Sequence, residues 1–224
     1  MMKKYLAIVA FLIINSACAQ NSFDSSKLSF NIQPLYLAIN GFKADFEYSI
    51  NSKIHIFVGG QYYTGLVNQG GGKSKENSIG STADQSKRNN DEINGKGFNV
   101  GVKYYFETET DNHLFIGGEL QHNRFDFVLN DYGYFSFIDD GVTFYEYRIG
   151  KFDANCIQTT GSLYLGQTFS KGKLVFNGWI GSSYSNAEAS NNLNNLRNYD
   201  NIFWDYSFNG FSPLIGFKLG YFIF

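Results

Sequence analysis

His122 and the serines Ser182, Ser183 and Ser185 are the residues of this chain whose chemistry would be sharpest if they met. An imidazole beside a serine hydroxyl is a base beside a nucleophile, the pairing that drives acyl transfer. His122, however, has no neighbouring serine at strand spacing. A larger set is ionic: Lys43, Asp45, Glu47, Lys103, Glu119 and Lys218, three residues of each sign, with His55 and Arg124 as possible additions. Such a set could line a polar path or relay protons. The balance of signs favours a different use, because charges removed from water must be matched. His55, His113 and His122 show no paired ligand spacing, so no metal centre is expected.

The third set is aromatic. Tyr132, Tyr134, Phe135, Phe137, Phe144, Tyr145 and Tyr147 crowd the stretch YGYFSFIDDGVTFYEYRI, and Phe203, Trp204, Tyr206, Phe208 and Phe211 follow later. Asp140-Gly141 divides the first stretch into two β-rich runs, a strong hairpin signal. Rings at this density offer a binding surface for a protein or a glycan; the competing reading is that they pack on one another and cap whatever lies beneath.

The elements that must hold these residues are strands. Phe42, Ala44, Phe46, Tyr48 and Ile50 alternate with Lys43, Asp45, Glu47 and Ser49, a period of two. Asn51-Ser52 turns the chain into Ile54, Ile56, Val58, Gly60 and Tyr62, so the pair reads as a hairpin. The same style recurs at 98–107, 113–123, 159–169, 174–184 and 214–224, and a first strand from Lys27 to about Leu37 makes eight. IHIFVGGQYY and NHLFIGGELQ look like variants of one unit, a repeated hairpin rather than a change of domain. Short links (Asn51-Ser52, 108–112, 170–173) alternate with long ones (68–96, 128–158, 185–212), apart from a brief first outer connection near Ala38 to Gly41. Short periplasmic turns opposite long extracellular loops are expected of an outer-membrane barrel, whereas long structureless loops would be out of place in a compact soluble domain. The loop at 68–96 is rich in Gly, Ser and Asn and is expected to be mobile.

One parity of these strands carries Phe98, Val100, Val102, Tyr104, Leu114, Ile116, Leu120, Leu174, Phe176, Ile180, Ile215, Phe217 and Leu219; the other carries Asn99, Gly101, Lys103, Gly117, Glu119, Gln121, Asn177 and Lys218. Eight strands enclose little space, which the large apolar set would overfill and the small polar set would fit. The apolar face is therefore expected outside, against lipid, with aromatic girdles near the strand ends. A bore this narrow, filled by balanced charges, favours sealing over conduction.

At the start, MMKKYLAIVAFLIINSACAQ has Lys3 and Lys4, an apolar run and the small-residue site Ala17-Cys18-Ala19, a secretory signal too short to span a bilayer. The expected division is a signal at 1–19, a short periplasmic segment at 20–26 and a barrel at 27–224. Cys18 raises a rival reading, acylation as a lipoprotein, for which Asn15 and Ser16 make a poor apolar lead-in. After ordinary cleavage Cys156 has no cysteine to pair with. The net charge of −2 carries no nucleic-acid footprint. The ending GFKLGYFIF reads as a last strand that pairs with the first, both termini then being periplasmic.

The signal ending ACAQ, the strand GVKYYF (101–106) and the aromatic terminus make the chain resemble small outer-membrane β-barrel proteins of Gram-negative bacteria, OmpX-like or opacity-like, in a Bacteroidota style. The resemblance covers the mature chain as a pattern of strands, without a catalytic motif. It implies insertion by the outer-membrane assembly machinery through the last strand, and lipopolysaccharide and other outer-membrane lipid as surroundings. Phe224 departs from the family pattern, since it shares the inward phase with Phe222 and Lys218; a bulge would reconcile them. Pro34 is also irregular, because it lacks a ladder donor. The sequence-level expectation is an all-β, eight-stranded, up-and-down barrel without cofactor, acting non-enzymatically through its aromatic outer loops in surface interaction, adhesion or assembly with a partner complex. The alternatives are a lipid A-modifying enzyme using His122 and a rim serine, then a narrow pore.

Overall fold

The computed structural model describes residues 28–66, 91–106, 113–190 and 206–223. The proposed signal and the segment after it, most of the loop at 68–96, Phe203, Trp204 and Phe224 lie outside the described residues. Within them the chain forms β1 (Leu28–Ile32), β2 (Gly41–Ser49), β3 (Ile54–Leu66), β4 (Glu92–Tyr105), β5 (His113–Asp139), β6 (Val142–Lys171), β7 (Leu174–Ala189) and β8 (Gly210–Phe222). Each strand pairs antiparallel with the next, and β8 pairs back onto β1, so the sheet is a closed barrel in chain order. Closure leaves no sheet edge along the wall.

Cross-strand partners share a face, so the parity read on one strand propagates around the ring. Val58 faces Val100, which faces Leu120, and all three are exposed on the outer wall. Leu163, Leu165, Ile180 and Ile215 continue the band. On the other parity Lys43, Asp45, Lys103, Asn177 and Lys218 are buried inside. The barrel is apolar outside and polar within, the reverse of a soluble protein.

Its two ends differ. At one end β2 turns into β3 through Asn51, whose Oδ1 accepts from the N–H of Lys53 (2.9 Å) and of Ile54 (2.8 Å), and β6 turns into β7 at Gly172. At the other end β5 and β6 run past their neighbours and close at Asp140 (φ 46) and Gly141 (φ 79). Both positive angles are what a two-residue turn of type I′ demands, and Asp-Gly supplies them at low cost.

Three boundaries depart from the sequence reading. β1 stops at Ile32, and Pro34 opens a 3-10 helix, Pro34–Ile39, instead of lying in the strand. A residue with fixed φ and no N–H suits a helix start and cannot feed a ladder. Asn40 (φ 57) then returns the chain to β2. Second, the long connection 128–158 is strand throughout: the hairpin expected around Asp140-Gly141 is continuous with the wall strands, β5 and β6 pairing without a break from His113↔Thr168 to Asp139↔Val142. Strand also occupies parts of the other outer connections, since β4 begins at Glu92 and β7 reaches Ala189. Third, β8 needs no bulge among its described residues. Leu219 to Phe222 hold an unbroken register on β1, Phe222 faces inward, and the Ile223 N–H donates to Leu28 O (2.9 Å).

The interior is also more aromatic than the small polar parity predicts. Phe57, Phe115, Tyr164 and Trp179 are buried there. They fit because glycines sit beside them: a Cβ on Gly101 would fall 2.2 Å from Phe57 Cζ, and one on Gly166 2.4 Å from Phe115 Cζ. The missing side chains make the room the rings fill.

Candidate functional site

Three layers of the barrel hold the residues with chemical potential. The lowest is ionic. Lys103 Nζ lies 2.6 Å from Glu47 Oε2, and Lys218 Nζ lies 2.7 Å from Asp45 Oδ2. Lys43 is paired with Glu119. All six predicted lumen charges thus come together as three pairs. His55 joins them, its Nδ1 3.0 Å from Glu47 Oε1 and its Nε2 2.7 Å from Ser49 Oγ. Further bonds hold the carboxylates: Asn31 Nδ2 donates to Asp45 Oδ1 (3.1 Å), and the Tyr105 hydroxyl donates to Glu47 Oε1 (3.3 Å). The Lys218 ammonium also sits 4.0 Å from the centre of the Phe57 ring. Matched charges and rings fill the bore at this level.

Arg124 does not belong to this set. It shares the parity of Leu114, Ile116 and Leu120, so it points outward, where its Nε donates to Asp126 Oδ1 at 3.4 Å.

Above the charges, Tyr63, Ile93, Phe125, Phe127, Leu129, Ala154 and Cys156 form a buried apolar cluster inside the barrel. Tyr206 closes it from above. Its ring lies 5.0 Å from Phe125 and 5.8 Å from Phe127, and its hydroxyl donates to Ile39 O at 3.0 Å. Tyr206 is therefore a capping ring. Phe208 is half-buried beside Gly210. Cys156 pairs with Phe125, one residue beyond Arg124, and so stands above the apolar band of the outer wall; burial there pushes its thiol up to about 12.

The top layer is a ribbon. β4 pairs with β5 no further than Val128, and β7 pairs with β6 no further than Cys156. Asp91 and Ser190 extend these contacts slightly, by accepting from the N–H groups of Asn130 and Asn155. Beyond them β5 and β6 stand as a two-stranded hairpin with two distinct faces. The outward face carries Tyr132, Tyr134, Tyr145 and Tyr147 with Ser136 and Thr143. Tyr134 is 76% exposed and Tyr145 71%, and the Tyr132 and Tyr147 rings stack at 5.3 Å. The other face carries Phe135, Phe137 and Phe144; Phe137 stacks on Phe144 at 5.5 Å, and the Arg148 guanidinium lies 4.6 Å from the Phe135 ring centre. All seven predicted rings of this segment are thus brought together.

Among the described residues His122 meets no serine. It lies on the outer wall, with Nδ1 3.0 Å from Thr159 Oγ1 and its ring 5.7 Å from Phe98. Ser183 pairs with Ser212 at 2.7 Å, and Ser185 with Thr160 at 2.9 Å. Among the described residues no group of three or more His, Cys, Asp or Glu stands where it could hold a metal ion.

An apolar outer wall around a core of paired charges defines a transmembrane β-barrel, the kind of protein that spans bacterial outer membranes. No protein-family model matches the sequence, and no curated protein matches it. Among solved structures the chain is similar to a major outer membrane protein from Thermus thermophilus, at 10% identity and TM-score 0.49, over 88% of this chain and 98% of that one. It is also similar to CarO of Acinetobacter baumannii (12%, TM-score 0.35, 91% and 100%) and to the outer membrane protease OmpT of Escherichia coli (13%, TM-score 0.39, 88% and 93%).

Proposed function

We propose that this outer-membrane barrel is non-enzymatic and acts at the cell surface through its aromatic ribbon, in adhesion, surface interaction or assembly with a partner complex. One observation carries the reading: the ribbon exposes rings on both faces, beyond the reach of the neighbouring strands. Contiguous exposed apolar surface of this kind marks interaction sites, and tyrosine and phenylalanine are suited to them. The ionic lumen supports a sealed scaffold in place of a conduit, and delivery to the membrane would run through β8 as the assembly signal. The test is surface display of the wild type and of a Tyr134→Ser, Phe137→Ser, Tyr145→Ser variant, matched for surface amount, with binding to immobilised host-type proteins and glycan arrays as the readout. Loss of a wild-type binding signal in the variant is expected; equal signals from both would refute the ribbon's role.

A lipid A-modifying enzyme is the second reading, and the His122–Thr159 contact speaks for it as a base within reach of a hydroxyl. Against it, the rim serines Ser183 and Ser185 are engaged by Ser212 and Thr160. A change in lipid A mass that depends on His122 would favour the enzyme.

A further inference from the structure

The outer wall of β4 and β5 carries cations where its apolar band ends. Reading upward on the outward parity, β4 runs Val102, Val100, Phe98, Lys96, and β5 runs Ile116, Gly118, Leu120, His122, Arg124. Lys96 is the ladder partner of Arg124, and Phe98 that of His122. Side chains of such partners stand about 5 Å apart at their Cβ atoms, so three basic groups share one patch. The other strands paired in this row put nothing basic there: β3 has Gly60 and Tyr62, β6 Ile157 and Thr159, and β7 Asn186 and Glu188.

We propose that Lys96, His122 and Arg124 form a headgroup site for a phosphorylated lipid of the outer leaflet. The patch lies at the ribbon end of the barrel, away from the short turns, and so on the outer side of the membrane. Directly below it Phe98, Val100 and Leu120 are exposed and provide a wall for acyl chains. The ligand that fits both tiers is an amphiphile with an anionic phosphate above and hydrocarbon below. Phosphate suits the donors. Arg124 holds Asp126 through Nε, which fixes the guanidinium and leaves its terminal nitrogens for oxygen atoms; His122 uses Nδ1 on Thr159 and keeps Nε2; Lys96 can reach up along its stem. Asp126 beside Arg124, Glu188 two strands away in the same row, and Glu92 higher on β4 are the acids that the phosphate must tolerate. This site lies apart from the ribbon's rings and rests on the outer-membrane reading, not on the ribbon's role.

The test uses the full chain folded in detergent, with three probes: bis-phosphorylated lipid A, the same lipid stripped of phosphate, and inorganic phosphate. Binding is read by native mass spectrometry and competition. The wild type is expected to bind the phosphorylated lipid in preference to the stripped one, and millimolar-range inorganic phosphate should not displace it. A Lys96→Gln, Arg124→Gln double variant should bind about thirtyfold more weakly, His122→Gln less severely so, while Lys151→Gln, higher on β6, should bind as the wild type does. Retention of the heat-dependent gel shift checks that each variant is folded. Unchanged binding by the folded double variant, or equal binding of the stripped lipid, would overturn the site. Displacement by inorganic phosphate would also overturn it, by showing a pocket for a soluble anion. Absence of the gel shift in the wild type would instead strike the barrel reading itself.

Discussion

The lumen and the ribbon share two strands, β5 and β6, yet handle their side chains in opposite ways. Low on these strands, where β4 and β7 flank them, inward residues such as Glu119 and Thr168 are buried and partnered. High on them, where the flanking strands have ended, Phe137, Phe144, Tyr145 and Tyr147 are exposed. Closure explains the first region: once the ring is complete, water is excluded and each charge needs a counter-charge. Among the described residues no further strand flanks the second. A two-stranded ribbon gains little stability of its own, so its rings are better explained by what they meet outside the molecule.

That contrast can be broken or sharpened by substitution. The largest effect is expected in the lumen. Glu47→Ala removes the counter-charge of the buried Lys103 and a partner of His55, and should lower stability to urea by about 3–5 kcal/mol; replacing Glu47 and Lys103 together with Leu and Met should cost markedly less. A loss as large in the double as in the single variant would mean the charges do more than match each other. Next comes the ring packing. Gly117→Val should cost about 1–3 kcal/mol, because the new Cβ meets the Tyr164 ring, and Tyr164→Ala in the same chain should relieve the clash. On the ribbon the expectation reverses: the three-serine variant should stay within about 0.5 kcal/mol of the wild type by the same unfolding assay while losing partner binding. Smallest is Cys156. With its thiol held at about 12 instead of near 9, maleimide should fail to label it in the folded barrel at mildly alkaline pH and label it readily after boiling.

Much of this was legible in the sequence, for a definite reason. Strict alternation fixes which residues share a face, so Lys43, Asp45, Glu47, Lys103, Glu119 and Lys218 could be assigned to one interior, and Asp140-Gly141 between two β-rich runs announced its turn through the positive backbone angles that Asp and Gly tolerate. What alternation does not carry is register. Whether Phe57 fits inside depends on Gly101 lying across from it, a fact about two strands at once. The pairing of Lys103 with Glu47, strands apart, is equally invisible along the chain. Arg124 was readable and misplaced: its parity with Leu120 already put it outside. Pro34 marked a real break, and the strand ended two residues before it.

The barrel is inside-out, its apolar face toward lipid, and gel mobility tests that most directly. Detergent-extracted protein, run with and without boiling, should shift on heating, and protease added to intact cells should cut only at the ribbon end. Protein released in soluble form, with no shift, would contradict the account and mean that the apolar face lines an interior.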